Sequence, residues 1–268
     1  MRDLTNGTAP LDLAVVVLSC DRYSDLWKPC LTLLLSAWKD VPHPTYLCAN
    51  RKEYLDPRIT TLLSDDDPDW STSILRSLSQ IKHEYVLLLF DDTFFSEPVN
   101  PERLDLIKSF IGSVRPSYLR FRPSPFPDEP YCGPFGRINE ATLYRTSTLG
   151  FWHRETLLSL MRPGESAWQF EYNSPSRALK LPLFFGVYEK FFSYIHGVEK
   201  GLWIPSALAE LQKITSDIDL ASRQIMNHEA YRSYKLAMLR EKIFDRVPAK
   251  MRPFLIKGKR AIFGSRHP

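Results

Sequence analysis

The sequence has little of what marks several large protein classes. No run approaches the roughly 18 consecutive apolar residues of a membrane-spanning helix. The opening stretch, Met1 to Asp12, lacks the apolar core of a secretory signal, so a protein of the cytoplasm is expected. There are only 4 cysteines (Cys20, Cys30, Cys48 and Cys132), without CxxC spacing. They read as reduced thiols, not as a disulfide framework or a zinc site. Glycine is also scarce, 11 in 268 residues, and none falls between Ser19 and Lys28. A glycine-rich phosphate loop after the first apolar run is thereby disfavoured. No internal repeat or low-complexity tract is visible. What is present is apolar content of 44%, enough for a sizeable core in one large domain, or one domain with an appended segment.

Charge is unevenly spread. The net charge is +4, yet residues 222–268 hold 12 Lys/Arg against 3 Asp/Glu, or +9, leaving −5 on the rest. We therefore expect a body over 1–221 and a basic, helical C-terminal extension over 222–268. Such asymmetry points to an anionic partner surface. From Ala249 onward come Lys250, Arg252, Lys257, Lys259, Arg260 and Arg266 with no acid, interleaved with Phe254, Ile256 and Phe263. That composition fits peripheral binding to an anionic membrane, at the inner face of the cytoplasmic membrane. The bland alternative is a helix that packs its apolar residues on the body. No nucleic-acid motif accompanies the basic residues, and no nucleic-acid partner is expected.

Along the body, "LAVVVL" (13–18) reads as a strand buried on both faces, as in a parallel sheet. A helical pattern follows over "YSDLWKPCLTLLLSAW". "TYLCAN" and "RITTLLSD" read as two more strands. "DWSTSILRSLSQI" is an amphipathic helix with Asp69 or Ser71 as N-cap. "YVLLLF" (85–90) is a fourth strand. The order β-α-β-β-α-β implies an open, mostly parallel α/β sheet flanked by helices. "RPSPFPDEPYCGPFG" (122–136) reads as a long loop. Beyond it come a strand running into a helix at "GFWHRETLLSLM", a short helix after Gly164, a turn over Gly197–Gly201 and a helix at "IPSALAEL".

Ligands of open α/β sheets bind outside the carboxyl ends of the strands. Ser19, Asp21, Arg22, Asn50, Asp65, Asp91 and Asp92 all fall there. Two adjacent carboxylates at a strand end suit a hard cation such as Mg²⁺ or Mn²⁺, or sugar hydroxyls. The bland reading of Asp91-Asp92 is a turn cap, and that of Asp65 a solvated acidic loop.

The stretches "VVVLSCDRYSDL", "DWSTSILRSLSQI", "EYVLLLFDDTFF" and "ESAWQFE", in that order, resemble glycosyltransferases of the GT-A type, a Rossmann-like fold. The likeness covers roughly residues 12–210 and is nearest to bacterial enzymes that build lipopolysaccharide (including O-antigen) or capsule. It implies transfer of a sugar from a nucleotide-diphosphate sugar to a hydroxyl of a glycan, lipid-linked in such pathways. Ser19, Asp21, Arg22, Asp65 and Asp91 would then lie at the donor nucleotide. Asp92 and His196 would hold Mn²⁺ or Mg²⁺, with Lys200 at the diphosphate. Asp91-Asp92 departs from a strict D-x-D, since neither Phe90 nor Thr93 is acidic, which puts the metal requirement in question. An inverting transferase needs a carboxylate general base. Phe170-Glu171, followed by Arg177, resembles the motif that carries it, which makes Glu171 the expected base and Glu165 its alternative. Trp152 and Trp168 flank the expected acceptor side, where sugars stack on aromatic faces; the bland and commoner reading of each is a buried core tryptophan. Two other readings stay open: a nucleotidyltransferase acting on sugar phosphates, and a non-catalytic membrane-associated binding module.

Overall fold

All six side chains of Leu13–Leu18 are buried. Because strand side chains alternate, this one strand feeds two cores. Leu13, Val15 and Val17 join one cluster; Ala14, Val16 and Leu18 join the other. The architecture is that of a computed structural model, which describes residues 11–39, 43–65, 69–140, 142, 145–245 and 247. The basic stretch from Ala249 onward, expected to meet a membrane, lies outside the described residues, as do Asp66 and Asp67.

The elements in chain order begin with β1 (Leu13–Leu18), α1 (Ser24–Ala37), β2 (Thr45–Ala49), β3 (Ile59–Leu63) and α2 (Trp70–Ser79). Then come β4 (Tyr85–Phe90), β5 (Thr93–Phe95), α3 (Pro101–Val114), β6 (Tyr118–Arg120), β7 (Glu129–Cys132) and β8 (Phe135–Arg137). β9 (Gly150–His153), α4 (Arg154–Leu160), α5 (Ala167–Arg177) and β10 (Phe184–Val187) follow. The described chain closes with β11 (Tyr194–His196), β12 (Val198–Glu199), β13 (Leu202–Trp203), α6 (Pro205–Ile214) and α7 (His228–Asp245). Among the described residues the central sheet has nine strands in the order β3-β2-β1-β4-β9-β6-β10-β8-β7. β3, β2, β1 and β4 pair in parallel, as do β6 and β10, while β9 and β8 run against their neighbours. This is the expected α/β class, a mostly parallel sheet flanked by helices.

α1 and α3 cover one face through Leu26, Trp27, Leu31, Ile107 and Phe110. α2, α4 and α5 cover the other through Ile74, Leu78, Leu157, Leu160 and Phe170. Asp69 is the N-cap of α2 and accepts from the Thr72 amide at 2.9 Å. The stretch 122–136 is not all loop: β7 and β8 pair antiparallel within it. Pro130 masked this strand from a propensity reading. Proline lacks an amide donor but is tolerated on an edge strand, and β7 is the last strand of the sheet.

Residues past 221 are tied to the body. Arg223 donates to both Asp25 carboxylate oxygens at 2.9 and 2.8 Å and to Gly201 O at 3.0 Å. Its guanidinium lies over the Tyr23 ring, 4.4 Å from the centroid. The Trp203 amide donates to Gln224 O, and that of Met226 to Trp203 O. Tyr231 and Tyr234 of α7 then pack on Ile204 and Met226. Among the described residues no helix is long and apolar enough to cross a membrane.

Gly150 opens β9 at φ +152, with the Tyr118 ring against its Cα and Leu119 O 3.0 Å from where a Cβ would stand. The Tyr118 ring cannot yield, because it is fully buried and its hydroxyl donates to Leu149 O at 2.7 Å. Gly150→Ala is expected to lower stability by roughly 2–3 kcal/mol through overpacking and backbone strain. Urea melts of the two proteins measure this, and an unchanged midpoint would refute the packing argument.

Candidate active site

The candidate site forms where β1 and β4 end side by side. Leu18 pairs with Phe90, so the next residues, Ser19 and Asp91, meet. The Trp27 indole donates to Ser19 Oγ at 2.6 Å, and the Ser19 hydroxyl donates to Asp91 Oδ2. Asp91 is 8% exposed. Burial first, then the neighbouring Asp92 charge, push its pKa up to about 8, against the pull of Ser19 and Arg223. Two of the expected donor residues are thus turned on each other in a buried chain.

Asp92 faces outward and meets His196. The antiparallel pairing of β5 with β11 puts His196 opposite Thr93. His196 Nδ1 lies 3.4 Å from Asp92 Oδ2, and its Nε2 lies 3.4 Å from Glu199 Oε2. Partial burial works against charge on the ring, but the hydrogen bonds to Asp92 and Glu199 outweigh it and hold the pKa up at about 10. The Gly197 amide donates to Asp92 O at 3.1 Å. The two expected metal ligands are therefore neighbours. Yet among the described residues no three His, Cys, Asp or Glu side chains group as a metal site. His196 uses one nitrogen on Asp92 and the other on Glu199, so a divalent ion does not fit this arrangement as it stands.

Asp21 is brought to the same edge but its carboxylate is occupied. It accepts from the backbone amides of Asn50, Arg51 and Lys52 at 3.0–3.2 Å, and Asn50 Oδ1 accepts from the Asp21 amide. It pins the turn after β2 to the turn after β1. Asp65, at φ 61, continues this tie: its amide donates to Asn50 O, and Asn50 Nδ2 donates to Asp65 O. Arg22 is exposed, and its side chain makes no hydrogen bond or ion pair among the described residues. Lys200 and Gly201, at φ 51 and 78, form a two-residue hairpin turn between β12 and β13, the geometry that twisted hairpins favour. Gly201 lies beside the Tyr23 hydroxyl and Arg223, and Lys200 next to it is exposed.

The two candidate bases differ. Glu165 is bound on both oxygens: Arg177 donates to them at 2.9 and 2.8 Å and Asn173 to Oε1 at 2.8 Å. Burial opposes its charge, but the Arg177 and Asn173 hydrogen bonds outweigh burial and keep its carboxyl below the usual range. Glu171 is held on one oxygen only. Oε1 accepts from Ser147 Oγ at 2.9 Å and from the Thr148 amide at 2.7 Å, while Oε2 takes no hydrogen bond among the described residues. Ser147 and Thr148 lead into Gly150, which pairs with Leu88 near the end of β4, so Glu171 belongs to the same edge. Trp152 does not flank an acceptor. It is fully buried against Tyr118 and Phe184, and its indole donates to Ser147 O and Thr148 O at 3.2 Å. Trp168, in the first turn of α5, is 75% exposed.

Sequence reasoning missed Trp27, Glu199 and Arg223. Only Glu199, three residues from His196 beside a tight turn, left a local signal. A separate cavity of about 190 Å³, lined in part by Arg137, Glu140, Arg145 and Phe184, opens where β8 ends and β10 begins. That is the opposite edge of the sheet.

No protein-family model and no curated protein matches the chain. Solved structures do. S. aureus TarS 1-349 aligns with a TM-score of 0.51 at 12% identity, covering 96% of this chain and 76% of that one. The same fragment in complex with UDP gives 0.50 at 12% identity, covering 76% and 64%. Against a longer TarS chain the TM-score is 0.49 at 12% identity, covering 76% of this chain and 39% of that one. At this identity the likeness is one of fold: the protein has a mostly parallel α/β fold shared with TarS.

The Glu165–Arg177 pair has a definite pH signature. A carboxyl whose folded pKa is depressed contributes stability above its unfolded pKa, and that contribution is lost as pH falls through the folded value. Glu165→Gln is therefore expected to be clearly less stable than wild type near neutral pH, and the gap is expected to close as the solution is acidified below the ordinary glutamate range. Chemical denaturation across pH measures it. A gap that does not change with pH would show that the ion pair contributes nothing.

Proposed function

We propose that the protein is a glycosyltransferase that takes a sugar from a nucleotide-diphosphate sugar and passes it to a hydroxyl of a glycan. The observation that carries this reading is Glu171, anchored through Oε1 and open at Oε2, on the edge that holds Asp91 and Asp92. A carboxylate so held is oriented yet keeps a lone pair for a proton. The shared fold with TarS, a teichoic acid glycosyltransferase crystallised with UDP, supports the same class.

In this reading Glu171 Oε2 takes the proton of the acceptor hydroxyl. The oxygen attacks the anomeric carbon, and the bond from that carbon to the diphosphate breaks, so the reaction inverts. Arg22 and Lys200, both exposed cations, would receive the nucleoside diphosphate. Asp65 and the Asn50 turn that Asp21 pins would form the wall beside the base and ribose. The Ser19–Asp91 pair would keep the strand ends in register beneath the donor. Asp92, paired with His196, would lie nearest the diphosphate. No step is assigned to Mn²⁺ or Mg²⁺. Trp168, exposed three residues before Glu171, offers an apolar ring to an acceptor sugar. A lipid-linked glycan of a bacterial surface polysaccharide is the acceptor class we infer from the basic C-terminal stretch.

The test has two parts. A thermal-shift titration with UDP and GDP, each with Mn²⁺ and with a chelator, is expected to show stabilisation by one diphosphate, and the chelator arm reads the metal requirement directly. Glu171→Gln is expected to lower transfer from the matching nucleotide sugar by about 10²- to 10⁴-fold while that stabilisation stays as in wild type. Asp92→Ala is expected to remove any difference between the Mn²⁺ and chelator arms. No response to any nucleoside diphosphate would refute the function, and near-normal turnover of Glu171→Gln would refute the base.

A further inference from the structure

We propose that the outward face of α7 is a docking surface for an anionic lipid membrane. The inference does not rest on the transferase reading. α7 runs 18 residues, His228–Asp245, about 27 Å at the helical rise. Its inward side is already used: Ala230, Tyr231 and Tyr234 pack against Ile204 and Met226. On the opposite side Leu236, Leu239 and Ile243 are 52%, 53% and 58% exposed. Spacings of three and four residues put these side chains on one stripe. Projected at 100° per residue, the centre of the stripe lies about 140° around the helix from that of Tyr231 and Tyr234. Scattered single exposed leucines need no explanation, but three in line on the outer side of a docked helix do.

The stripe is framed by cations. Arg232, Lys235 and Arg240 are exposed around it, and Glu229 is the one exposed acid among the described side chains of α7; the helix sequence also includes Glu241, Lys242 and Asp245. From the end of α7 the chain continues through residues 246–268, with seven Lys/Arg and no Asp or Glu. An apolar stripe edged by cations, leading into an all-basic stretch, matches an anionic bilayer surface. The ring of positive charge draws the helix to the headgroups, and the aliphatic side chains enter beneath them. The helix is too polar to span the bilayer, so it would lie in the plane of the interface. Because α7 is fastened to the body through Met226, Tyr231 and Tyr234, such docking would hold the whole protein at the surface in one orientation.

The experiment is sedimentation of the full-length protein with two kinds of vesicle: phosphatidylcholine alone, and phosphatidylcholine with one-third phosphatidylglycerol. Co-sedimentation is expected with the anionic vesicles only, and is expected to weaken at high salt. The triple variant L236S/L239S/I243S is expected to bind at least about ten-fold more weakly, with an unchanged melting temperature, since the altered side chains face solvent. R232Q/K235Q/R240Q is expected to lose binding at low salt and to flatten the salt dependence. Four results would each overturn the proposal. Full-length protein could remain in the supernatant with anionic vesicles at low salt. L236S/L239S/I243S could sediment like wild type, which would assign binding to residues 246–268 alone. That variant could melt well below wild type, making the stripe a packing surface for those residues. Light scattering could show a dimer without lipid that the variant abolishes, making the occupant a second copy of this chain.

Discussion

Parallel pairing of β1 with β4 is the constraint on which the rest of the molecule depends. The two strands are paired over six residues, from Leu13 with Tyr85 to Leu18 with Phe90. Both are apolar on both faces, so each alternate side chain feeds one of two cores. A slip of one residue would send every side chain to the opposite core. It would also part Ser19 from Asp91. Burying a Val or Leu side chain contributes about 1.5–3 kcal/mol, and that burial along both strands is what holds a buried carboxyl in place against its desolvation cost.

Around this fixed point the fold arranges charge at one edge. Asp91 is kept inside by a serine that is itself held by an indole, and its raised pKa keeps a second full negative charge from forming beside Asp92. Asp92 is met from outside by His196, and His196 by Glu199. Behind them Asp25 and Arg223, both nearly buried, join the first helix to the residues after α6. Breaking such a pair by removing one partner leaves an uncompensated charge. The C-terminal segment is therefore fastened to the edge where the site lies, and α7 is a fixed part of the body.

Much of this was legible because it is local. The buried strands, the Asp69 cap, the turn before α6 and the clustering of polar residues at strand ends each follow from a few consecutive residues. The readings that failed depended on neighbours far along the chain. Trp152 reads as a sugar platform only until β9 is placed between β4 and β6, where both faces are covered. β7 is hidden by Pro130 because a missing amide matters only if the strand has a partner on that side. The Phe170-Glu171 motif favours Glu171 over Glu165, but the sequence does not say what each carboxylate meets, since both precede the same arginine. The helical turn of α5 brings Arg177 back to Glu165, while Ser147 and Thr148 capture one oxygen of Glu171.

By itself the sequence determined the α/β class, the order of the first six elements, the clustering of polar residues at strand ends and the contrast between an acidic body and a basic C-terminal stretch. These rest on hydrophobic periodicity, capping and charge, which are properties of short segments. Only the tertiary structure decided that β9 runs against the sheet, that Asp21 anchors a neighbouring turn, and that His196 reaches Asp92. It also decided that Arg223 closes onto Asp25, 198 residues away along the chain. The physical reason is common to all four. Each depends on which distant backbone comes to lie alongside, and that choice is made by the packing of two whole faces of the sheet, not by any one stretch of residues.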